Sequence, residues 1–293
     1  MQEKNLDSLF AEFVEWGSAH YAARTVDTYR CLLSRFIKFV GEKKVSQIQI
    51  QDITRYIIHL KKKGYAESSV AFMIISIRVF FKYLHLRRII EWDYQLIKIP
   101  RYVSKSHPTI ELDEARSMIK SVRADDFRGL RDKMILQFLF ATGMRVSELA
   151  ELTLEELDIE NRYAIIISKK SRKRRRIFWC ENTAGVLDTY LLEREQWAYD
   201  DHLIINCSKT HFGKKVTTRT IQRVVKRHRQ GSRVVPHSFR HGLAKDLIKK
   251  GANMRSVQEI LGHKTLQTVE TYTRLYDEEV KVDYDKHRGK LDS

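Results

Sequence analysis

The sequence predicts a mainly α-helical protein: a small N-terminal four-helix unit, then a larger, mostly helical unit with one small antiparallel sheet. Three observations predict it. Apolar residues recur at three- and four-residue spacing along most of the chain. Only 3 Pro and 12 Gly occur in 293 residues, which suits helices joined by short loops. Between Pro100 and Pro108 runs a basic, polar stretch with little periodicity, Arg101 to His107, which reads as a linker. Residues 1–99 therefore form the first unit, 100–109 the linker, and 110–293 the second unit with a C-terminal tail.

Leu6, Phe10, Phe13 and Val14 place a helix over residues 5–17. Thr25 is the expected cap of a second helix to about residue 40, with Tyr29, Leu32, Leu33, Phe36, Ile37 and Val40 on one face. Asp52 is expected to begin a third, ending at Lys63 before Gly64. Ser68 or Ser69 begins a fourth, with Phe72, Ile75, Val79, Phe80 and Tyr83 as its buried stripe.

Beyond the linker, a short helix is expected from Glu111 to about Val122. Arg131 to Thr142 is apolar almost all round, so it should be a central core helix, ended by Gly143. A short helical turn follows over Ser147 to Leu152, and Thr153 to Glu156 has capping-box spacing. Tyr163 to Ser168 and Arg176 to Trp179 read as the strands of a hairpin. Further helices are expected near 182–196, 217–229, 238–250, 254–261 and 266–275.

Charge narrows the function. The chain carries 54 Lys and Arg against 37 Asp and Glu, a net +17. Residues 1–105 carry +8 and the remainder +9, so both units are basic, as two sides of a grip on a polyanion would be. A basic surface that serves only solubility is the plainer reading. Cys31, Cys180 and Cys207 are few, far apart and without CxxC spacing, so neither a disulfide framework nor a zinc site follows. No apolar run reaches the roughly 18 residues of a bilayer span, and Met1 to Asn5 do not open a signal peptide. A soluble, cytoplasmic protein without membrane contact is expected.

Five residues, in order, fit one chemistry. Cleaving a DNA phosphodiester without metal needs a nucleophile, cations for the charge on the non-bridging oxygens, and a group to move protons. Arg145 lies in Gly143-Met144-Arg145-Val146-Ser147-Glu148, after a core helix that should hold it rigidly. Taken alone, it reads equally well as a surface arginine paired with Glu148. His237 and Arg240 lie three apart on a helix start fixed by Pro236, so both can face one pocket. His263 follows Leu261-Gly262 in a helix-ending turn, and Tyr272 sits on the next helix. Each feature alone is commonly structural; their conjunction in a basic protein is not.

These boxes, Gly-Met-Arg-x-Ser-Glu at 143–148, His-x-x-Arg-His at 237–241, Leu-Gly-His at 261–263 and Tyr272, resemble the signature of the tyrosine recombinases. The two-unit layout is most similar to Xer-type site-specific recombinases and the integrases closest to them. The resemblance implies that Arg145, His237, Arg240 and His263 surround the scissile phosphate and that Tyr272 attacks it. A 3′-phosphotyrosyl intermediate and a free 5′-hydroxyl result, with neither metal nor nucleotide cofactor. It also implies a lysine in the hairpin turn that protonates the leaving 5′-oxygen. Here the segment reads Ser168-Lys169-Lys170-Ser171-Arg172-Lys173-Arg174-Arg175-Arg176, without the family's usual glycines. Alignment favours Lys169, with Lys170 a near equal.

The resemblance makes the first unit the core-DNA-binding domain and the second the catalytic domain. Candidate DNA contacts are Arg24, Arg30, Arg78 and Lys82 in the first unit, with Arg101 and Lys105 in the linker. Lys170, Arg172, Lys173 and Arg174 in the basic hairpin add to them, as do Arg219, Gln222, Arg223 and Lys226 on one helix face. Arg and Gln can read base edges, although that helix could equally contact backbone alone. The expected partner is double-stranded DNA with inverted half-sites, bound by a homo-tetramer on synapsed DNA and assisted in some systems by a second recombinase or activator. The tail after Tyr272 is expected to dock on a neighbouring protomer, a frayed end being the plainer reading. Two other functions compete: a type IB topoisomerase-like enzyme, and a sequence-specific DNA-binding protein with an inactive pocket. The four-helix N-terminal unit and short tail speak against the former; the complete set of polar residues speaks against the latter.

Overall fold

The computed structural model describes residues 5–102, 109–167, 174–229 and 231–262. The chain divides into two compact units, 1–105 and 106–293, each with its own core.

The first unit holds α1 (Leu6–His20), α2 (Ala23–Val40), α3 (Ile50–Lys62) and α4 (Glu67–Leu86). Its core gathers Leu9, Phe13, Leu33, Phe36, Ile53, Tyr56, Ile77, Phe80, Phe81 and Leu84. By length and composition alone, α4 is the one helix among the described residues apolar enough to cross a bilayer, at a mean hydropathy of 1.5. Here that apolar surface is spent on the core: Val70, Met73, Ile74, Ile77, Phe80, Phe81 and Leu84 are all buried.

Local expectations are corrected at three points. Thr25 caps nothing; α2 starts at Ala23 behind Ala22, which makes no side-chain cap bond. Asp52 lies inside α3 instead of before it, where its carboxylate accepts from the Gln49 N–H at 3.0 Å and from Lys43 Nζ at 2.6 Å. Phe72 is 46% exposed, because the buried sector of α4 runs through Val70, Met73, Ile77 and Leu84 and turns Phe72 outward.

The second unit is built around α6 (Phe127–Thr142), which packs against α8 (Glu181–Glu195) and α10 (Pro236–Lys249). Met134, Ile135, Leu136, Phe138 and Leu139 of α6 are wholly enclosed. Asp126 caps its start by accepting from the Gly129 N–H at 2.7 Å. Around it lie α5 (Leu112–Lys120), α7 (Val146–Glu151), α9 (Thr218–His228) and α11 (Met254–Leu261). The sheet has three antiparallel strands in the order β1 (Leu157–Asp158), β2 (Tyr163–Ile167) and β3 (Arg174–Phe178). Two features of it were not expected: β1 exists, and β3 begins two residues before Arg176. The register pairs Ala164 with Ile177 and Ile166 with Arg175, so Arg175 lies on the buried face and Arg174 and Arg176 face out.

Candidate active site

Four chain segments meet at the C-terminal end of α11. Gly143 ends α6 in the left-handed region at φ 58°, its N–H donating to Leu139 O at 3.0 Å. A Cβ there would come within 2.8 Å of Leu243 Cδ2 and 2.9 Å of Leu261 Cδ2, so α6, α10 and α11 close together over this glycine. Two residues on, Arg145 sits at the N-terminus of α7, 35% of its side chain exposed.

The plainer expectation for Arg145 holds. It does pair with Glu148, through Nη1 to Oε1 at 2.8 Å, while its backbone N–H donates to Oε2 at 2.7 Å. Its Nη2 also donates to Gly262 O at 3.3 Å, which ties it to the far end of the unit. Glu148 has a second arginine. Arg175 on β3 grips the same carboxylate with both Nη atoms, at 2.9 Å to Oε1 and 2.6 Å to Oε2, and its Nε donates to Ile260 O at 3.1 Å. Burial pushes the Glu148 carboxyl up. The Arg175 fork, the Arg145 N–H and the Arg145 guanidinium outweigh it and bring its pKa down to about 2.

Arg240 is 3% exposed and reaches the same place from α10. Its Nη1 donates to Gly143 O at 2.8 Å and its Nη2 bonds Leu261 O. Ile260, Leu261 and Gly262 thus offer three successive carbonyls, each accepting from a different arginine: 175, 240 and 145. A helix C-terminus attracts cations because its last carbonyls are unpaired and carry partial negative charge. Gly262 ends the helix at φ 63°, ψ 47°, and a Cβ on it would lie 2.9 Å from Arg175 Cδ.

His237 lies one turn before Arg240 on α10 and is exposed, its ring 6.2 Å from that of His241. Pro236 opens this helix, and the Val235 N–H donates to Ser238 Oγ at 3.1 Å. His263, Tyr272, Lys169, Lys170, Arg172, Lys173 and Lys105 lie outside the described residues. Among the described residues no group of three or more His, Cys, Asp or Glu is placed to hold a metal.

Nearly all the described candidate DNA contacts are exposed. On α9, Arg219, Gln222, Arg223 and Lys226 are all exposed while Ile221, Val224 and Val225 are buried. Of the first-unit set, Arg24, Lys82 and Arg101 are exposed and Arg78 is half-buried. Arg30 lies 3.5 Å from Asp27. Arg174 is exposed on the outer face of β3.

Sequence reasoning missed two residues. Arg175 stands in the basic 168–176 segment with nothing local to single it out; strand alternation carried back from Ile177 puts it inside. Asp132 on α6 is 2% exposed and accepts from Arg131 Nη2 at 2.6 Å, from Arg227 Nη1 at 2.6 Å and from His228 Nε2 at 3.2 Å. It anchors the end of α9, and no local pattern marks it.

The profile of the phage integrase family matches residues 108–279, and that of the integrase N-terminal SAM-like domain matches residues 15–88. Tyrosine recombinase XerC of Listeria innocua serovar 6a is 30% identical over 300 residues, 98% of each chain. Tyrosine recombinase XerD of Halalkalibacterium halodurans is 29% identical over 266 residues, covering 86% of this chain and 87% of its own. Among solved structures, XerA recombinase aligns over 96% of this chain and 98% of its own, with 27% identity and a TM-score of 0.53. A lambda integrase tetramer bound to a Holliday junction covers 92% of this chain and 78% of its own at a TM-score of 0.74; at 15% identity that is a likeness of fold. With a family profile over most of its length and near-full-length relatives, the chain belongs to the phage integrase family, among its Xer-like tyrosine recombinases.

Proposed function

We propose that this recombinase cuts and rejoins double-stranded DNA at inverted half-sites through a 3′-phosphotyrosyl intermediate on Tyr272. The Tyr272 oxygen attacks phosphorus, the bond to the 5′-oxygen breaks, and Lys169, or Lys170 beside it, protonates the leaving oxygen. The freed 5′-hydroxyl of a partner strand then attacks the phosphotyrosine and releases the enzyme. Arg145 and Arg240 stabilise the charge that develops on the non-bridging oxygens, and His237 and His263 complete the polar shell. The bond to tyrosine stores the energy of the cut, so the reaction balances without nucleotide or metal.

The observation that carries this reading is the convergence of Arg145 and Arg240 on adjacent carbonyls immediately before His263. Preorganised guanidiniums at that point are what a five-coordinate phosphorus requires.

Residues 1–99 serve as the core-DNA-binding domain, 100–109 as the linker and 110–293 as the catalytic domain. The exposed face of α9 and the basic residues of α2 and α4 contact the duplex. Four protomers assemble on synapsed DNA in the cytoplasm, with the segment 277–293 docking between neighbours. The relatives at about 30% identity over nearly the whole chain are Xer recombinases, which favours a cellular resolvase over a mobile-element integrase.

Covalent trapping tests the reading. Wild-type protein and Tyr272→Phe are incubated with fragmented host DNA, denatured, and the attached DNA is sequenced. Wild-type adducts clustered at one inverted repeat and absent from the variant are the expected result. Adducts in Tyr272→Phe would overturn the assignment and turn attention to Tyr276. Scattered wild-type adducts would favour topoisomerase-like action.

A further inference from the structure

We infer that Arg175 is a positioning residue for strand cleavage: it holds Glu148 and balances its charge, so that Arg145 stays oriented and electrostatically available for the phosphate. The inference rests on the function proposed above.

Four hydrogen bonds to Glu148 divide evenly between its two oxygens. Oε1 accepts from Arg175 at 2.9 Å and Arg145 at 2.8 Å; Oε2 accepts from Arg175 at 2.6 Å and the Arg145 N–H at 2.7 Å. A carboxylate has about four lone-pair directions, so Glu148 is saturated and has one orientation. The two arginines are not equivalent. The Arg175 and Glu148 side chains are each 8% exposed, whereas that of Arg145 is 35% exposed. Arg175 is the inner, fixed partner and Arg145 the outer one that can meet a ligand.

Electrostatics gives this arrangement a purpose. A lone carboxylate beside Arg145 would neutralise it and compete with the phosphate for its fork. Arg175 cancels the Glu148 charge, leaving the Arg145 and Arg240 charges in excess at the end of α11. Remove Arg175, and among the described residues Arg145 is the cation left in hydrogen-bond contact with Glu148. The buried carboxylate then becomes a bidentate trap for the arginine it formerly only aimed.

Arg175 also acts on the turn. Its Nε holds Ile260 O, and its aliphatic stem lies under Gly262 with no room for a Cβ. It thus spans the hairpin, the start of α7 and the end of α11.

The test is single-turnover cleavage and site affinity on the duplex recovered from wild-type adducts, for Arg175→Gln, Glu148→Gln and the double variant. Arg175→Gln should slow cleavage ~10- to 100-fold while affinity stays within ~3-fold, the pattern of a contact needed only in the transition state. Adding Glu148→Gln should restore part of that rate, because the trap is discharged. Arg175→Lys, which keeps charge and loses the fork, should lie between. Should Arg175→Gln fail to fold, Arg175→Lys and the charge-balanced double variant are read in its place. Unchanged cleavage in a folded variant, equal losses in affinity and cleavage, or additive losses in the double variant would each overturn the inference. Absence of any wild-type adduct would overturn the recombinase chemistry itself, a separable result.

Discussion

Glu148 and Arg145 are joined twice, side chain to side chain at 2.8 Å and carboxylate to backbone N–H at 2.7 Å. The second bond satisfies an orphan donor at the start of α7, so one carboxylate aims the guanidinium and caps the helix that carries it. While Arg175 is in place, this double duty makes the ionised state of Glu148 a condition of the site.

Stability should therefore depend on Glu148 in acid. Its folded pKa, about 2, lies below the ordinary glutamate value, so its contribution is present above the unfolded pKa and is lost as pH falls through the folded one. Denaturant unfolding of wild type and Glu148→Gln should differ by on the order of 3 kcal/mol at neutral pH. The gap should narrow between about pH 5 and pH 2; a gap constant over that range would contradict the assignment.

Arg145 and Arg240 should separate by thermal melting. Both alanine variants are expected to lose ~10²-fold or more in cleavage with much smaller losses in affinity. Arg240 is also enclosed and bonded to the carbonyls of Gly143 and Leu261, so Arg240→Ala should lower the melting temperature clearly. Arg145→Ala, partly exposed, should lower it less. Equal melting shifts would show that the burial difference has no energetic weight.

Gly262→Ala puts a side chain at φ 63° and within 2.9 Å of Arg175 Cδ. The backbone conformation alone costs ~1–2 kcal/mol. Displacement of the Arg175 fork should take cleavage down as well, as a rate measurement on the folded variant would register. Gly251, also at positive φ but in open space, is the control: Gly251→Ala should cost stability and leave cleavage alone.

Asp132→Asn should weaken DNA binding without touching the chemistry. It leaves Arg131 and Arg227 with a neutral partner at a buried point, at a cost of about 3 kcal/mol, the low end because Arg227 still reaches water. The end of α9 loosens, so affinity should fall and its salt dependence flatten, while cleavage at saturating protein stays near wild type. Unchanged affinity would remove α9 from the DNA interface.

How much of this could be read from the residues alone depended on range. The described helices of both units follow from apolar spacing, the one expected near 266–275 lying outside the described residues, and Gly143 marks its helix end because only glycine settles easily in that turn. The two-residue strand β1 was invisible, since two residues have no period. Phe72 misled because α4 buries so wide a sector that several stripes fit it. Arg145 and Arg240 were legible as motif residues, and even the local pairing with Glu148 was foreseen. Arg175 was not, because its partners are 27 and 85 residues away and its basic neighbours concealed a strand face. His263, Tyr272 and the turn lysines remain sequence assignments.

The three carbonyls ending α11 bear on the life of the newly made chain. Their arginines come from residues 145, 175 and 240, bridging separations of 117, 85 and 21 positions. The closing contacts await residue 262 of 293, and Tyr272 leaves the ribosome later still. A nascent chain holds most of its basic residues before it reaches Tyr272. On the assignment of Tyr272 proposed above, a product cut short after residue 262 would carry the assembled arginines and lack the residue proposed to attack DNA.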